Sequence, residues 1–216
     1  MTIEHHPPEQ LLTAFSAGTL DLGQHVAIAT HAAGCARCRW WVRVAEHVGG
    51  ATLEDSPPAP MAATALDLAL ARLDVPATKA GVIASPPDGA QDIPGLPAFV
   101  HRYPAGDWKW IAPRLFMRSI HITELSDTRV FLLKAGPGMK LLPHAHSGIE
   151  MTCVLTGSFS HDGVRYAPGD FDLGDSGVEH EISIDSREEC ICLVAMQGEL
   201  RLKGFLGRLM QPFVSI

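Results

Sequence analysis

Between residues 76 and 97 the sequence places prolines at Pro76, Pro86, Pro87, Pro94 and Pro97 and glycines at Gly81, Gly89 and Gly95. Proline removes a backbone donor and glycine costs the most entropy to order, so no continuous helix or central strand crosses this stretch. It divides two unlike patterns. From Pro8 to about Leu73 the chain is rich in Ala and Leu at helical spacing, whereas from Ala98 onward short alternating runs of Val, Ile, Phe and Gly point to strands. The expected organisation is an α part over residues 1–75, a linker over 76–97 and an all-β part over 98–216.

Four helices are expected in the α part. Leu11, Leu12 and Phe15 form a stripe that ends at Gly18, a second run covers about Leu20 to Ala33, and a third covers Ala36 to Val48. A break at Gly49-Gly50, continued by Pro57, Pro58 and Pro60, precedes a fourth helix in which Leu66, Leu70 and Leu73 share one face. That last helix is fenced by proline loops on both sides and need not pack permanently on the others. Roughly fifty residues in three helices cannot bury a deep core, so such a module needs a staple. The run His31-x3-Cys35-x2-Cys38 supplies one: a Cys-x2-Cys turn brings two thiolates to one tetrahedral Zn2+, with His31 a helical turn upstream. A fourth ligand must come from elsewhere. His5 and His6 both stand just before the first helix and either could close the site; His6 is preferred, and His25 and His47 are weaker because their helical neighbours look solvent-facing. Adjacent Trp40 and Trp41 diverge by about 100° on a helix, so both cannot face the interior: either one lies on a partner-binding face or both are half-buried at a rim.

The β part carries a second constellation, Gly138-x5-His144-x-His146-x3-Glu150-x6-Gly157. Two histidines one residue apart on a strand point to the same side, and Glu150 at the start of the next strand adds a hard oxygen ligand. This run resembles the first motif of the cupin family. Gly169-x5-Asp175-x-Gly177-x2-His180 resembles the second, with Asp175 in place of the usual proline, and the resemblance implies that His180 completes the ligand set. Three imidazoles and a carboxylate suit Zn2+, Fe2+, Mn2+ or Ni2+, with zinc the first choice. His101, His121 and His161 have no such spacing and are expected to be surface or core residues. Cys190 and Cys192 share one face of a strand; a direct disulfide between them would be strained, and they are expected, like Cys153, to pack.

The first 75 residues are similar to the zinc-binding anti-sigma family, with His6, His31, Cys35 and Cys38 at its signature positions. Joined to a cupin barrel by a proline-rich linker, the whole chain resembles the ChrR-type anti-sigma factors. The resemblance implies a zinc-stapled four-helix anti-sigma domain followed by a cupin jelly-roll barrel. It also implies a partner, a group IV (extracytoplasmic-function) sigma factor, and an oxidative signal such as singlet oxygen or an organic peroxide that triggers release. No catalytic activity is expected; the alternative is a metal-dependent cupin enzyme, a dioxygenase or a related type, with a helical appendage.

Charge and cysteine use agree with a regulator that touches protein rather than DNA. A formal net charge of −7 opposes direct nucleic-acid binding, which needs a basic face to displace counterions. Five cysteines form an odd set with two in a metal pattern, and no cleavable leader or apolar span is seen, so a cytoplasmic protein without membrane contact is expected. The sequence sets no oligomeric state.

Overall fold

The computed structural model describes residues 2–73, 93–122, 126–141, 144–174 and 182–202, with 144–146 and 200–202 described by their backbone. His180, Asp175, Gly177 and residues 76–92 of the expected linker lie outside the described residues.

Helix α1 (Glu9–Ser16) begins after Pro7-Pro8 and buries Leu12. Its end is a Schellman closure: Thr19 N–H donates to the Ala14 carbonyl at 3.0 Å and Gly18 N–H to the Phe15 carbonyl at 3.1 Å. The reversal needs the positive φ of 67° at Gly18, which a side chain would resist. Helix α2 (Leu22–Gly34) is capped by Asp21, whose carboxylate accepts the Gly23 N–H at 2.9 Å. At its other end Arg39 donates to the Ala32 and Ala33 carbonyls, both at 2.8 Å, where cation and helix dipole agree. Helix α3 (Ala36–Glu54) follows after Cys35 alone.

The expected break at Gly49-Gly50 is absent, and α3 runs through both glycines. Glycine costs about 1 kcal/mol against alanine in a helix but keeps its N–H, so two of them weaken a helix without ending it. Helix α4 (Ala65–Leu73) has no buried residue, in line with the expected free fourth helix.

A 3-10 turn (Ala98–Arg102) leads into eleven strands among the described residues. These are β1 (Lys109–Ala112), β2 (Leu115–Ile120), β3 (Thr128–Ala135), β4 (His144–His146), β5 (Glu150–Thr156), β6 (Phe159–His161), β7 (Val164–Tyr166), β8 (Phe171–Gly174), β9 (Ile182–Ile184), β10 (Cys190–Gln197) and β11 (Leu200–Leu202). The main sheet is antiparallel in the order β1-β2-β3-β10-β5-β8, and smaller sheets β7-β6-β9 and β11-β4 accompany it. Strand pairing across distant segments, β10 between β3 and β5, is the jelly-roll pattern of a cupin.

Strand β10 is buried on both faces, which an antiparallel strand shows only when something covers each side. Cys190, Cys192, Val194 and Met196 face inward with Phe131, Val154, Phe159 and Ile184. Ile191, Leu193 and Ala195 face outward, and α2 covers them. The outer cluster runs continuously from Leu12, Val26, Ile28 and Val42 of the helices to Leu132, Met151, Leu155 and Leu193 of the sheet. Burying Val26 and Ile28, 1% and 0% exposed, contributes about 1.5–3 kcal/mol each. The end of the expected linker is part of this core too: Ile93 and Leu96 are buried in the same cluster.

Candidate metal centre

The end of α2, the start of α3 and the irregular segment before α1 meet at one point. His6, His31, Cys35 and Cys38 each offer a donor atom there, and the four donors lie within 4.8 Å of one another. Among the described residues no other His, Cys, Asp and Glu group of three or more gathers in this way. Cys35 ends α2 in an extended conformation, and its Sγ accepts the Cys38 N–H at 3.4 Å, which folds the Cys-x2-Cys turn around the sulfur. His31 Nε2 is 3.2 Å from Cys38 Sγ, and His6 Nδ1 is 3.4 Å from Cys35 Sγ and 3.5 Å from Cys38 Sγ. With Zn–N near 2.05 Å and Zn–S near 2.3 Å, a tetrahedral ion sets nitrogen–sulfur edges of about 3.6 Å, so the spacing suits a small four-coordinate cation.

The protonation chemistry fits as well. Burial pushes His31 down to about 4, so its imidazole is neutral at physiological pH and able to ligate. Its Nδ1 donates to the Gly169 carbonyl at 2.8 Å, which leaves the lone pair of Nε2 directed at the cluster. Burial, and next the adjoining Cys35 thiol, push Cys38 up to about 12. A Cys38 thiol held this high stays protonated at neutral pH until a cation joins it.

The neighbouring histidines serve other ends. His5 sends Nε2 to the Arg165 carbonyl at 3.1 Å and lies 4.4 Å from the Tyr166 ring, so His6 is the one that enters the cluster. His25 stacks on Phe15 with centroids 4.2 Å apart, and His47 is exposed.

In the β part, the backbone places His144 and His146 on β4, paired with β11. Glu150 opens β5 as expected and accepts from Thr152 Oγ1 at 3.2 Å. Thr152 stands opposite Asp172 in the β5–β8 register, so Glu150, Thr152 and Asp172 share the inner face. Asp172 in turn contacts His161 Nδ1 at 2.7 Å. This His161–Asp172 pair escaped the sequence analysis because strand register, not spacing, brings it together. Cys190 and Cys192 are buried free thiols with sulfurs 3.6 Å apart, each in the inner core. Their mutual hydrogen bond and burial hold the Cys192 thiol well above its ordinary range, which makes it a poor nucleophile.

Fold and site together define a class: a helical module gathered around a Cys2His2 cluster and seated on a cupin barrel. Comparison with known proteins gives the same answer. Residues 98–200 match the family model of the ChrR Cupin-like domain. The chain is 32% identical over 219 aligned residues to the anti-sigma-E factor ChrR of Cereibacter sphaeroides, covering 100% of both chains. It superposes with a TM-score of 0.74 and 28% identity on a chain from the crystal structure of Rhodobacter sphaeroides SigE in complex with the anti-sigma ChrR, covering 91% of this chain and 100% of that one. The chain belongs to the ChrR family of anti-sigma factors.

Proposed function

We propose that this protein is a cytoplasmic anti-sigma factor that holds a group IV sigma factor through its helical part and releases it on an oxidative signal received by the cupin part. Full-length likeness to ChrR, including the chain crystallised with SigE, is the observation that carries this reading. The surface supports it. On α3, Trp40, Val44, Val48 and Leu53 are exposed, and on α4 so are Leu66, Leu68, Leu70 and Leu73. Trp40, Val44 and Val48, spaced i, i+4 and i+8, form an exposed apolar stripe on α3 that marks a protein-binding face, and Trp40, 57% exposed, is its natural anchor. A groove of about 610 Å³ between α1 and α3, walled by Ala17, Trp41, Val44 and Val48, lies beside it. No described helix is long and apolar enough to cross a membrane.

In this reading residues 1–75 form the sigma-binding domain and 98–216 the sensor. Zn2+ at His6, His31, Cys35 and Cys38 staples the helices, and its binding energy is folding energy for so small a module. A second metal, zinc or Fe2+, Mn2+ or Ni2+, is assigned to His144, His146, Glu150 and His180. The test is a reporter driven by the sigma factor in cells carrying His144→Ala/His146→Ala. Repression that persists under oxidant supports the sensor assignment, and an unchanged oxidant response sinks it.

One observation favours a second reading, a cupin enzyme. The His161–Asp172 pair on the face that carries Glu150 has the form of an acid/base couple. Oxygen consumption by the metal-loaded protein, lost in His161→Gln, would support that reading against the regulator.

A further inference from the structure

Three of the four cluster residues sit at helix ends, where backbone hydrogen bonding holds them. His6 does not: residues 2–8 form neither helix nor strand. What holds them is the barrel. Asp170, 3% exposed, accepts the Glu4 N–H at 2.8 Å and the His5 N–H at 3.0 Å on Oδ1. Its Oδ2 accepts the Ala167 N–H at 2.8 Å and so closes the barrel's own turn. Phe171 N–H donates to the His5 carbonyl at 3.1 Å, so the segment is gripped from both edges immediately before His6.

The same turn reaches a second cluster residue. The residue before Asp170 is Gly169, whose carbonyl accepts from His31 Nδ1. Its φ of 94° favours glycine, and a Cβ there would press on Ile3 Cδ1 at 2.7 Å, which would have to turn aside. Phe171, next in line, meets the His31 ring edge-on at 5.8 Å. Two ligands from different parts of the chain are thus oriented by one five-residue stretch of a different structural unit.

We propose that the barrel turn 167–171 is the outer shell of the helical metal centre, with Asp170 the positioning residue for His6 and the Gly169 carbonyl the one for His31. The inference rests on the metal reading of the cluster. Ligands held in place before the ion arrives bind it more tightly, and outer-shell partners typically account for 10–100-fold in metal affinity. Linkage makes the effect reciprocal: a change in the barrel that shifts this turn loosens the metal, and loss of the metal loosens the turn. The turn also feeds β8 (Phe171–Gly174), whose inner face carries Asp172 opposite Thr152, so the barrel interior and the helical cluster share one rigid connection.

The experiment is a zinc competition titration of the full chain against a chromophoric chelator, with Co2+ absorption as a report on ligand geometry. Asp170→Ala is expected to weaken zinc by roughly 10–100-fold and to alter the Co2+ bands, and Asp170→Asn, which keeps Oδ1 as an acceptor, to recover part of the loss. Asp162→Asn, an equal charge change on an exposed barrel turn, should leave both unchanged. Because Asp170 also closes its own turn, Glu4→Pro provides a variant that touches no barrel residue; it removes the Glu4 N–H donated to Asp170 and is expected to cost about tenfold. Hydrogen exchange at Phe171 N–H should speed up when zinc is removed from the wild type. Zinc affinities of Asp170→Ala and of Glu4→Pro within about threefold of wild type would overturn the inference. A folded wild type that takes up no zinc would instead overturn the metal reading on which it rests.

Discussion

Replacing Gly23 and Gly49 by alanine, one at a time, makes the same chemical change on two helices with opposite expected results. On α2 a Cβ at Gly23 would lie 2.7 Å from the Thr128 carbonyl oxygen and 2.8 Å from Thr128 Cβ. Both atoms belong to or adjoin the backbone of β3, so the helix must lift from the sheet or the strand must shift. Overpacking of this kind costs about 1–3 kcal/mol, and the better helix propensity of alanine returns at most about 1 kcal/mol. With the full return the net loss is about 0–2 kcal/mol, which for a chain of this size lowers Tm by up to roughly 8 °C. On α3 a Cβ at Gly49 meets nothing within 4 Å. Only the propensity remains, and Gly49→Ala should stabilise by about 0.5–1 kcal/mol. Thermal and urea unfolding of the metal-loaded chain read both signs. A stabilising Gly23→Ala would mean that α2 is not seated on the barrel, and a destabilising Gly49→Ala would mean that α3 ends before its glycine pair.

Other expected outcomes follow from the same contacts. Asp21 joins the helices to the barrel, since it caps α2 and also accepts from Ser126 Oγ at 2.6 Å; Asp21→Ala should cost about 1 kcal/mol in chemical denaturation. Burial opposes ionisation of Asp21, but hydrogen bonds from Ser126, Thr128, Gly23 and Asp127 outweigh it and hold the carboxyl below its ordinary value. Its stabilising effect is therefore present above the ordinary carboxylate range and is lost as pH falls through the depressed value. An acid titration should show that component missing from Asp21→Asn. In the metal-free protein, His31 sits at about 4 against an ordinary 6.5 because of burial, so the unfolded chain binds the extra proton first. Stability from this residue is complete above pH 6.5 and declines as pH falls toward 4, and His31→Gln should flatten that window in a pH series of urea midpoints.

Much of the His/Cys cluster was legible because its spacing is local. His31, Cys35 and Cys38 fall within two turns of a helix junction, and the rule of four ligands pointed upstream to His5 or His6. The choice between those two depended on Asp170 and Arg165, more than 150 positions away, and spacing carries no such information. Docking of the helices on the barrel had a readable trace: α2 buries Val26, Ala27, Ile28, Thr30, His31 and Ala32, residues too numerous for one stripe of a surface helix. The continuous apolar run of β10 was the matching trace on the sheet, since a strand solvated on one face alternates. The Gly49-Gly50 pair reads as a stop signal in the sequence, yet glycine lowers helix stability without removing the hydrogen bonds that continue it, and α3 runs on. His161–Asp172 and the Asp170 clip were invisible for a common reason. Both are made by strand register and turn placement between segments that the sequence shows only as separate runs.

The most direct measurement is co-purification of the full chain, wild type and Cys35→Ser/Cys38→Ser, from cells of the source organism, with bound proteins identified by mass spectrometry and zinc content determined on the same samples. The account predicts that the wild type carries zinc and a group IV sigma factor, and that the double variant carries neither at the helical site. A folded, zinc-loaded wild type that retains no sigma factor would contradict it.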